Sequence, residues 1–334
     1  MADFLNALTV FANFVFVPGL AYGAQLALGA LGVTLIYGIL RFSYFAYGDL
    51  MALGTMLTIL VTWWLLSMGA TFGPLPTALL ALPLGILGAV AVSLLIDRWV
   101  FRFYRKQKSA SIVMVMASVG VMFVLNGIVR LVIGPDEQRF ADGERFLVTV
   151  RGFRDYTGMA EGLAIRVPVA ITIVVAVIVV AAMFWFLQST RMGKAMRAYS
   201  DNEDLALLSG INPDRVVAVT WIIAAALATV AGVLYGLDKS FRPFTYFQLL
   251  LPIFAAAIVG GIGQPLGAVA GGFVIAFSEV TVTYAYKRVL EYLGLQPEGL
   301  VQLLSTEYKF AVSFVILVLV LLIRPTGIFR GRVL

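Results

Sequence analysis

The chain has 334 residues, 61% of them hydrophobic and only 13% charged, with a mean hydropathy of +0.97 and a formal net charge of +6. Soluble domains average about 45–50% apolar and about 25% charged residues; here the apolar excess runs along the whole length, so the composition specifies an all-α, polytopic helical membrane protein, 1–334 forming a single transmembrane domain. The apolar runs are continuous, unlike the alternating segments of a β-barrel, and the absence of Cys and His removes disulfides, thiol catalysis, the usual proton shuttle and the commonest metal ligands.

No metal site and no catalytic residue are therefore expected. The basic balance fits cytoplasmic loops beside lipid headgroups rather than a nucleic-acid surface. Before Arg41 the only charge is Asp3, so a cleaved signal peptide is not expected.

In chain order, the first apolar stretch, 4–40, is too long for one ordinary span. Pro18-Gly19 is expected to divide it into a short interfacial segment and a span over about 19–40. Further spans are expected at about 49–68, 76–100, 110–133, 167–188, 214–237, 247–263, 266–286 and 307–324. That makes nine, or eight if the pair around Gly263-Gln264-Pro265 consists of half-helices or holds one tilted helix. Lys and Arg set the orientation. Arg98, Arg102, Arg105, Lys106 and Lys108 cluster after the third span, the 68–75 hairpin has no charge, and Arg324, Arg330 and Arg332 lie in the tail. Nine spans then place the N-terminus outside and the C-terminus in the cytoplasm. Inside segments hold 13 basic and 6 acidic residues and outside segments 11 of each, so the five-residue cluster and the charge-free hairpin decide the orientation.

The outer 134–166 loop is the longest hydrophilic segment. It reads either as a solvated connection or as a platform for a soluble partner, with Phe140, Phe146 and Phe153 anchoring that partner or folding the loop back.

Residues 189–213 form a charged, helix-forming loop assigned to the cytoplasm. Asp201 or Asn202 can N-cap a short helix over 203–209, with Glu203 and Asp204 in its acidic first turn. Gly210 closes it and Asn212-Pro213 starts the next span. Leu205 and Leu208 share a face that so short a helix cannot bury alone. That face lies against the membrane or neighbouring spans, or docks into a soluble motor. No phosphate-binding Gly-rich loop occurs, so any ATPase is a separate polypeptide and this chain binds no cofactor of its own.

Two helix breaks fall beside spans: Arg41 to Asp49, including Tyr47 and Gly48, and Gly260-Gly261-Ile262-Gly263-Gln264-Pro265. Non-helical backbone at membrane depth survives only when buried in protein or lining water, so both are pathway candidates. Gly263, Gly267 and Gly271, with Ala256 and Gly260, read as a close-packing seam. Glu279 shares a helical face with Gly272 and Ala276 and so points at a packed neighbour, either as a structural hydrogen-bond acceptor or as a proton-coupling group. Asn126 reads as a helix–helix hydrogen bonder.

Several stretches, taken together, are similar to one family. They are Leu31 to Gly38, Phe45-Ala46-Tyr47-Gly48-Asp49, and the loop from Ser189 through Arg191, Met192, Gly193, Arg197 and Ala198 to Ser209-Gly210-Ile211-Asn212. They continue with Ala231 to Leu234, Val259 to Gly263, Gly271-Gly272 with Glu279, Ser305 to Lys309, and Arg324 to Ile328. Over nearly its full length the chain resembles the smaller permease type of bacterial branched-chain amino-acid ABC importers. Tyr47 departs from the family, which often has His there.

The resemblance implies an ABC-importer permease fold in the bacterial inner membrane, paired with a second, homologous permease subunit. Two cytoplasmic ATPase subunits carrying ATP and Mg, and a periplasmic substrate-binding protein, would complete the assembly. Residues 189–213 would be the ATPase-coupling loop. The family also contains importers of urea, amides and aromatic acids. An ion-coupled secondary carrier using Glu279 is the alternative from a different class.

Overall fold

The structure, a computed structural model, describes residues 2–73, 75–140, 145–292, 301–305, 308–324 and 326–329. Thr306, Glu307, Pro325, Arg330 and Arg332 lie outside the described residues. Eight helical stretches among those described are long and apolar enough to cross a membrane.

The chain starts with α1 (Ala2–Phe11) and α2 (Val17–Leu40), joined without interruption by a π-helical turn over Ala12–Phe16. The expected division at Pro18-Gly19 does not occur. The Val17 amide bonds to the Ala12 carbonyl, five residues back. This widened turn sits just where a proline ring would otherwise clash with the preceding turn, so Pro18 is accommodated without ending the helix. α2 is apolar all round and buried over nearly its whole length, which is the pattern of a central helix. It packs against α8 (Val167–Ser189), α11 (Pro213–Asp238), α12 (Pro243–Gly260) and α13 (Pro265–Thr283).

α3 (Tyr47–Ser67) and α4 (Ala78–Ile96) pack on each other and on α11. A second π turn, Asp97–Phe101, joins α4 to α5 (Arg102–Lys106), and α6 (Ser111–Ile133) packs along α3. After the long loop, α8 leads to α9 (Arg191–Asp201) and α10 (Glu203–Leu208). After α13 come α14 (Lys287–Tyr292) and α15 (Lys309–Ile323). At 15 residues α15 is shorter than an ordinary span. It nevertheless returns the chain to the end of α12, where the Ile328 and Phe329 amides bond to the Val259 and Gly260 carbonyls. The bundle thus has two ends. One carries α9, α10, the α2–α3 and α12–α13 connections and residues 326–329; the other carries the 134–166 loop.

That loop is more ordered than a bare connector. It contains β1 (Phe146–Val148), the short α7 (Val150–Thr157) and β2 (Ile165–Arg166), with β1 and β2 antiparallel. Gln138 also bridges to Phe241 through two backbone hydrogen bonds. Strands of two and three residues show no alternation to read in a sequence.

The expected small-residue seam is present between α12 and α13. A Cβ on Gly267 would overlap the Gly260 carbonyl, and one on Gly271 would overlap the Ala256 carbonyl. Gly263 is not in the seam. It sits in the turn with φ +84°, with nothing near its would-be Cβ.

Candidate functional site

The α10 end is built by local capping. The Thr190 hydroxyl accepts from the Gly193 amide at 3.0 Å and starts α9. Of the two candidate caps for α10, the structure uses Asn202, whose side-chain oxygen accepts from the Leu205 amide at 3.0 Å. Gly210, at φ +80°, turns the chain out of α10, and Asn212 caps α11 by accepting from the Arg215 amide at 3.2 Å. Gly193 is buried against the backbone of Phe186 and Leu187, which folds α9 sharply under α8. Arg191, Arg197, Asp201, Glu203 and Gly210 are exposed. Leu205 is 61% and Leu208 85% exposed, while Ala206 turns inward. With Leu207 also exposed, α10 thus presents three leucines away from its own bundle, Leu205 and Leu208 most fully.

This platform is tied to the spans by specific contacts. The Ser200 hydroxyl donates to the Gly38 carbonyl at 2.9 Å, and Arg41 donates to the Ser200 carbonyl at 3.4 Å. Arg102 pairs with Asp214 at 3.1 Å. Tyr199 donates to Glu203 at 2.6 Å; burial pushes its phenol well above the usual value, and the bond to Glu203 adds to the shift.

The first expected break runs deeper than its length suggests. The Ser111 hydroxyl donates to the Arg41 carbonyl at 2.9 Å, and the Phe45 amide donates to the Ser118 hydroxyl at 3.2 Å. Ser111 and Ser118 are two turns apart on α6, about 10 Å of rise. Residues 41–46 therefore climb into the bundle, and α3 begins inside it. Tyr47, Gly48 and Asp49 are helical and buried in its first turn rather than part of the break. Asp49 is 1% exposed, and Asn126 of α6 donates to its Oδ1 at 2.6 Å. Asn126 thus bonds across two helices as its sequence position implied. The Gly260–Pro265 break is different: it is a turn at the α10 end, with Gly261 and Gly263 at positive φ.

Glu279 is 1% exposed, and the Ser313 hydroxyl of α15 donates to its Oε1. Lys309 supplies a neighbouring positive charge and also stands over the Tyr22 ring. Gly272, on the same face, packs against Ala27 of α2. The carboxylate thus ties α13 to α15 beside α2. The structure does not bring Glu279 and Asp49 into one site.

With this geometry in place, the comparisons decide the family. Residues 15–321 match the family described as branched-chain amino acid transport system / permease component. The chain belongs to that family. It is 31% identical over 319 residues to the high-affinity branched-chain amino acid transport system permease protein LivH of Escherichia coli, covering 93% of this chain and 92% of that one. It is 30% identical to the high-affinity branched-chain amino acid transport system permease protein BraD of Pseudomonas aeruginosa, over 93% and 94%. A probable branched-chain amino acid transport permease protein of Methanocaldococcus jannaschii is 28% identical over 92% and 89%.

One cluster in this permease escapes a reading by sequence. Asp97 accepts from the Trp221 indole at 2.7 Å and pairs with Arg105, whose second nitrogen lies 3.1 Å from Oδ2. Phe42, Tyr44, Phe101 and Trp221 stack around it. The cluster fixes the start of the 41–46 segment to the π turn after α4 and to α11. Its one sequence signal is an acid at the end of an apolar run with an Arg two turns later; the indole partner lies 124 residues away.

Proposed function

We propose that this permease is the membrane subunit of an ATP-driven importer that moves branched-chain or related hydrophobic amino acids into the cytoplasm. The observation that carries the reading is α10, capped at both ends, carried by α9, which Ser200–Gly38 holds to the spans, and exposing Leu205 and Leu208 at one end of the bundle. A two-turn helix cannot hold such a face in water without a partner, and burying each leucine would gain about 1.5–3 kcal/mol. A cytoplasmic ATPase subunit is the partner assigned to it. ATP and Mg then reside on two such subunits, and hydrolysis is theirs.

The amino-acid cargo is supported by the names of the full-length relatives. A second, homologous permease subunit and a periplasmic binding protein complete the assembly in a bacterial inner membrane. The α10 end faces the cytoplasm, in accord with Arg98, Arg102, Arg105, Lys106 and Lys108 lying there, and the α7 end faces outward.

The test is reconstitution with its ATPase, binding-protein and second permease partners in vesicles lacking any ion gradient. ATP-dependent uptake of leucine, isoleucine or valine is expected. Uptake that needs an imposed ion gradient and ignores ATP would sink the reading.

A further inference from the structure

From Ala78 the chain runs as one uninterrupted helix through α4, the π turn and α5 to Lys106. Its first 19 residues, Ala78–Ile96, carry no charge. At 1.5 Å per residue they span about 29 Å, the thickness of a bilayer's hydrocarbon core. The residues from Asp97 onward, rich in Arg and Lys, therefore run through the headgroup layer at the α10 end.

The outward side of this stretch has two kinds of surface. Leu95, Trp99 and Phe103 are exposed, Trp99 at 73%. Residues four apart drift by about 40° per step around a regular α-helix. The π turn Asp97–Phe101 holds more residues per turn and takes up that drift, so the three side chains stay on one side. Beside them Arg98 and Lys106 are exposed, as is Lys108 in the turn that follows. None of these three cations has an acidic partner among the described residues, whereas their neighbours Arg102 and Arg105 pair with Asp214 and Asp97. The Trp99 indole, unlike those of Trp63 and Trp221, donates to nothing among the described residues.

An apolar and aromatic stripe running into unpaired cations at headgroup depth is the complement of an anionic amphiphile. We propose that this face binds an anionic phospholipid of the leaflet at the α10 end. Its phosphate lies against Arg98 and Lys106, with Lys108 at the outer edge of the headgroup. The Trp99 indole donates to its ester or phosphate oxygens, and its glycerol and acyl chain follow Phe103, Trp99 and Leu95 into the membrane. The stripe is what selects a lipid over free phosphate.

Arg102 belongs to the same stretch and pairs with Asp214 in the first turn of α11, just after the turn that closes α10. A lipid held here steadies the α5 side of that pair, and with it the base of α10. This consequence for coupling rests on the transport reading above; the lipid site itself does not.

The test uses the full-length permease in detergent, titrated with phosphatidylglycerol or phosphatidylcholine brominated on the acyl chains, with tryptophan fluorescence as the readout. The difference between the parent and Trp99→Phe isolates the Trp99 signal. Phosphatidylglycerol should quench it at about tenfold lower concentration than phosphatidylcholine, the preference that two cations at an anionic headgroup supply. Arg98→Gln combined with Lys106→Gln should bring the two lipids level, while Arg98→Lys should keep the preference. Both positions are exposed, so the bundle's packing is untouched. Excess inorganic phosphate should not compete. Equal quenching by the two lipids, or a preference that survives the double substitution, would overturn the site. Displacement by inorganic phosphate would overturn it too, by making it a site for a soluble anion.

In phosphatidylcholine vesicles, adding phosphatidylglycerol should raise ATP-driven uptake by the assembled transporter severalfold, and the double substitution should remove the gain. A gain that persists in that variant overturns the consequence for coupling. Lipid preference intact with no ATP-driven uptake in either membrane would count against the transport reading alone.

Discussion

Asn126 of α6 donates a 2.6 Å hydrogen bond to Asp49 in the first turn of α3, pinning a buried carboxylate where the chain re-enters helix inside the bundle. The second Asp49 oxygen has no partner among the described residues. Together with the Phe45 amide bond to the Ser118 hydroxyl just before it, the pair holds that helix start against α6.

Removing the donor should be worse than neutralising the acceptor. Asn126→Ala leaves both Asp49 oxygens unmet and should cost about 2 kcal/mol, in the range for a buried hydrogen bond to a charged group. Asp49→Asn keeps a partner for Asn126 and should cost less. Thermal unfolding in detergent checks this; an Asn126→Ala protein as stable as its parent would show that the bond does not hold α3.

The α10 leucines give the next expectation. Leu205→Asp combined with Leu208→Asp should abolish ATP-driven uptake while leaving the protein in the membrane at normal abundance, because both side chains are exposed and contribute little to the permease's own packing. Normal coupled uptake by the double variant would remove α10 from the docking surface.

Sidedness can be tested with single thiols in this cysteine-free chain. Tyr156, 93% exposed on α7, and Leu208, 85% exposed on α10, mark the two ends. In intact spheroplasts a membrane-impermeant maleimide should label Tyr156→Cys directly and Leu208→Cys only after permeabilisation. The reverse pattern would invert the topology.

How far the sequence carries depends on the range of the interaction. The α10 caps were legible because Asn202, Gly210, Asn212 and Pro213 act on their immediate neighbours, and Glu279 was legible as packed because Gly272 and Ala276 share its face. Three features were not. Pro18 looked like a break because nothing in its neighbourhood announces the π turn over Ala12–Phe16. The depth of residues 41–46 is set by Ser111 and Ser118 on a helix far along the chain. The Asp97–Trp221 bond and the β1–β2 pairing are likewise tertiary, and strands this short carry no pattern of their own.

Glu279 is expected to be structural. Glu279→Gln retains an oxygen for the Ser313 hydroxyl, and ATP can drive the cycle without a proton. Uptake should therefore fall by less than about threefold, the effect of weakening one hydrogen bond, and its pH profile should keep its shape. Complete loss of uptake at normal abundance would assign the carboxylate a coupling role.

The last expectation concerns the α7 end. Phe140 is buried and packs near Gly236, so it folds the loop back on the bundle and is unavailable to a partner. Arg166 pairs with the buried Asp238 at 2.9 Å, and Glu161 accepts from the Tyr292 hydroxyl at 2.8 Å. These contacts make the base of the loop part of the fold, and deleting 138–160 would remove Gln138 and Phe140 along with the exposed surface. The outward-facing residues are Phe146, Leu147 and Tyr156, flanked by the exposed Arg151, Arg154 and Asp155. An exposed aromatic ringed by mixed charges suits a transient contact in which the charges govern association rate. Tyr156→Ala with Leu147→Ser should therefore weaken binding-protein-stimulated ATPase activity about tenfold or more, the loss of two anchoring side chains. Basal activity should hold, and the defect should deepen as salt rises. Unchanged stimulation across a range of binding-protein and salt concentrations would instead mean that α7 rests on the membrane surface.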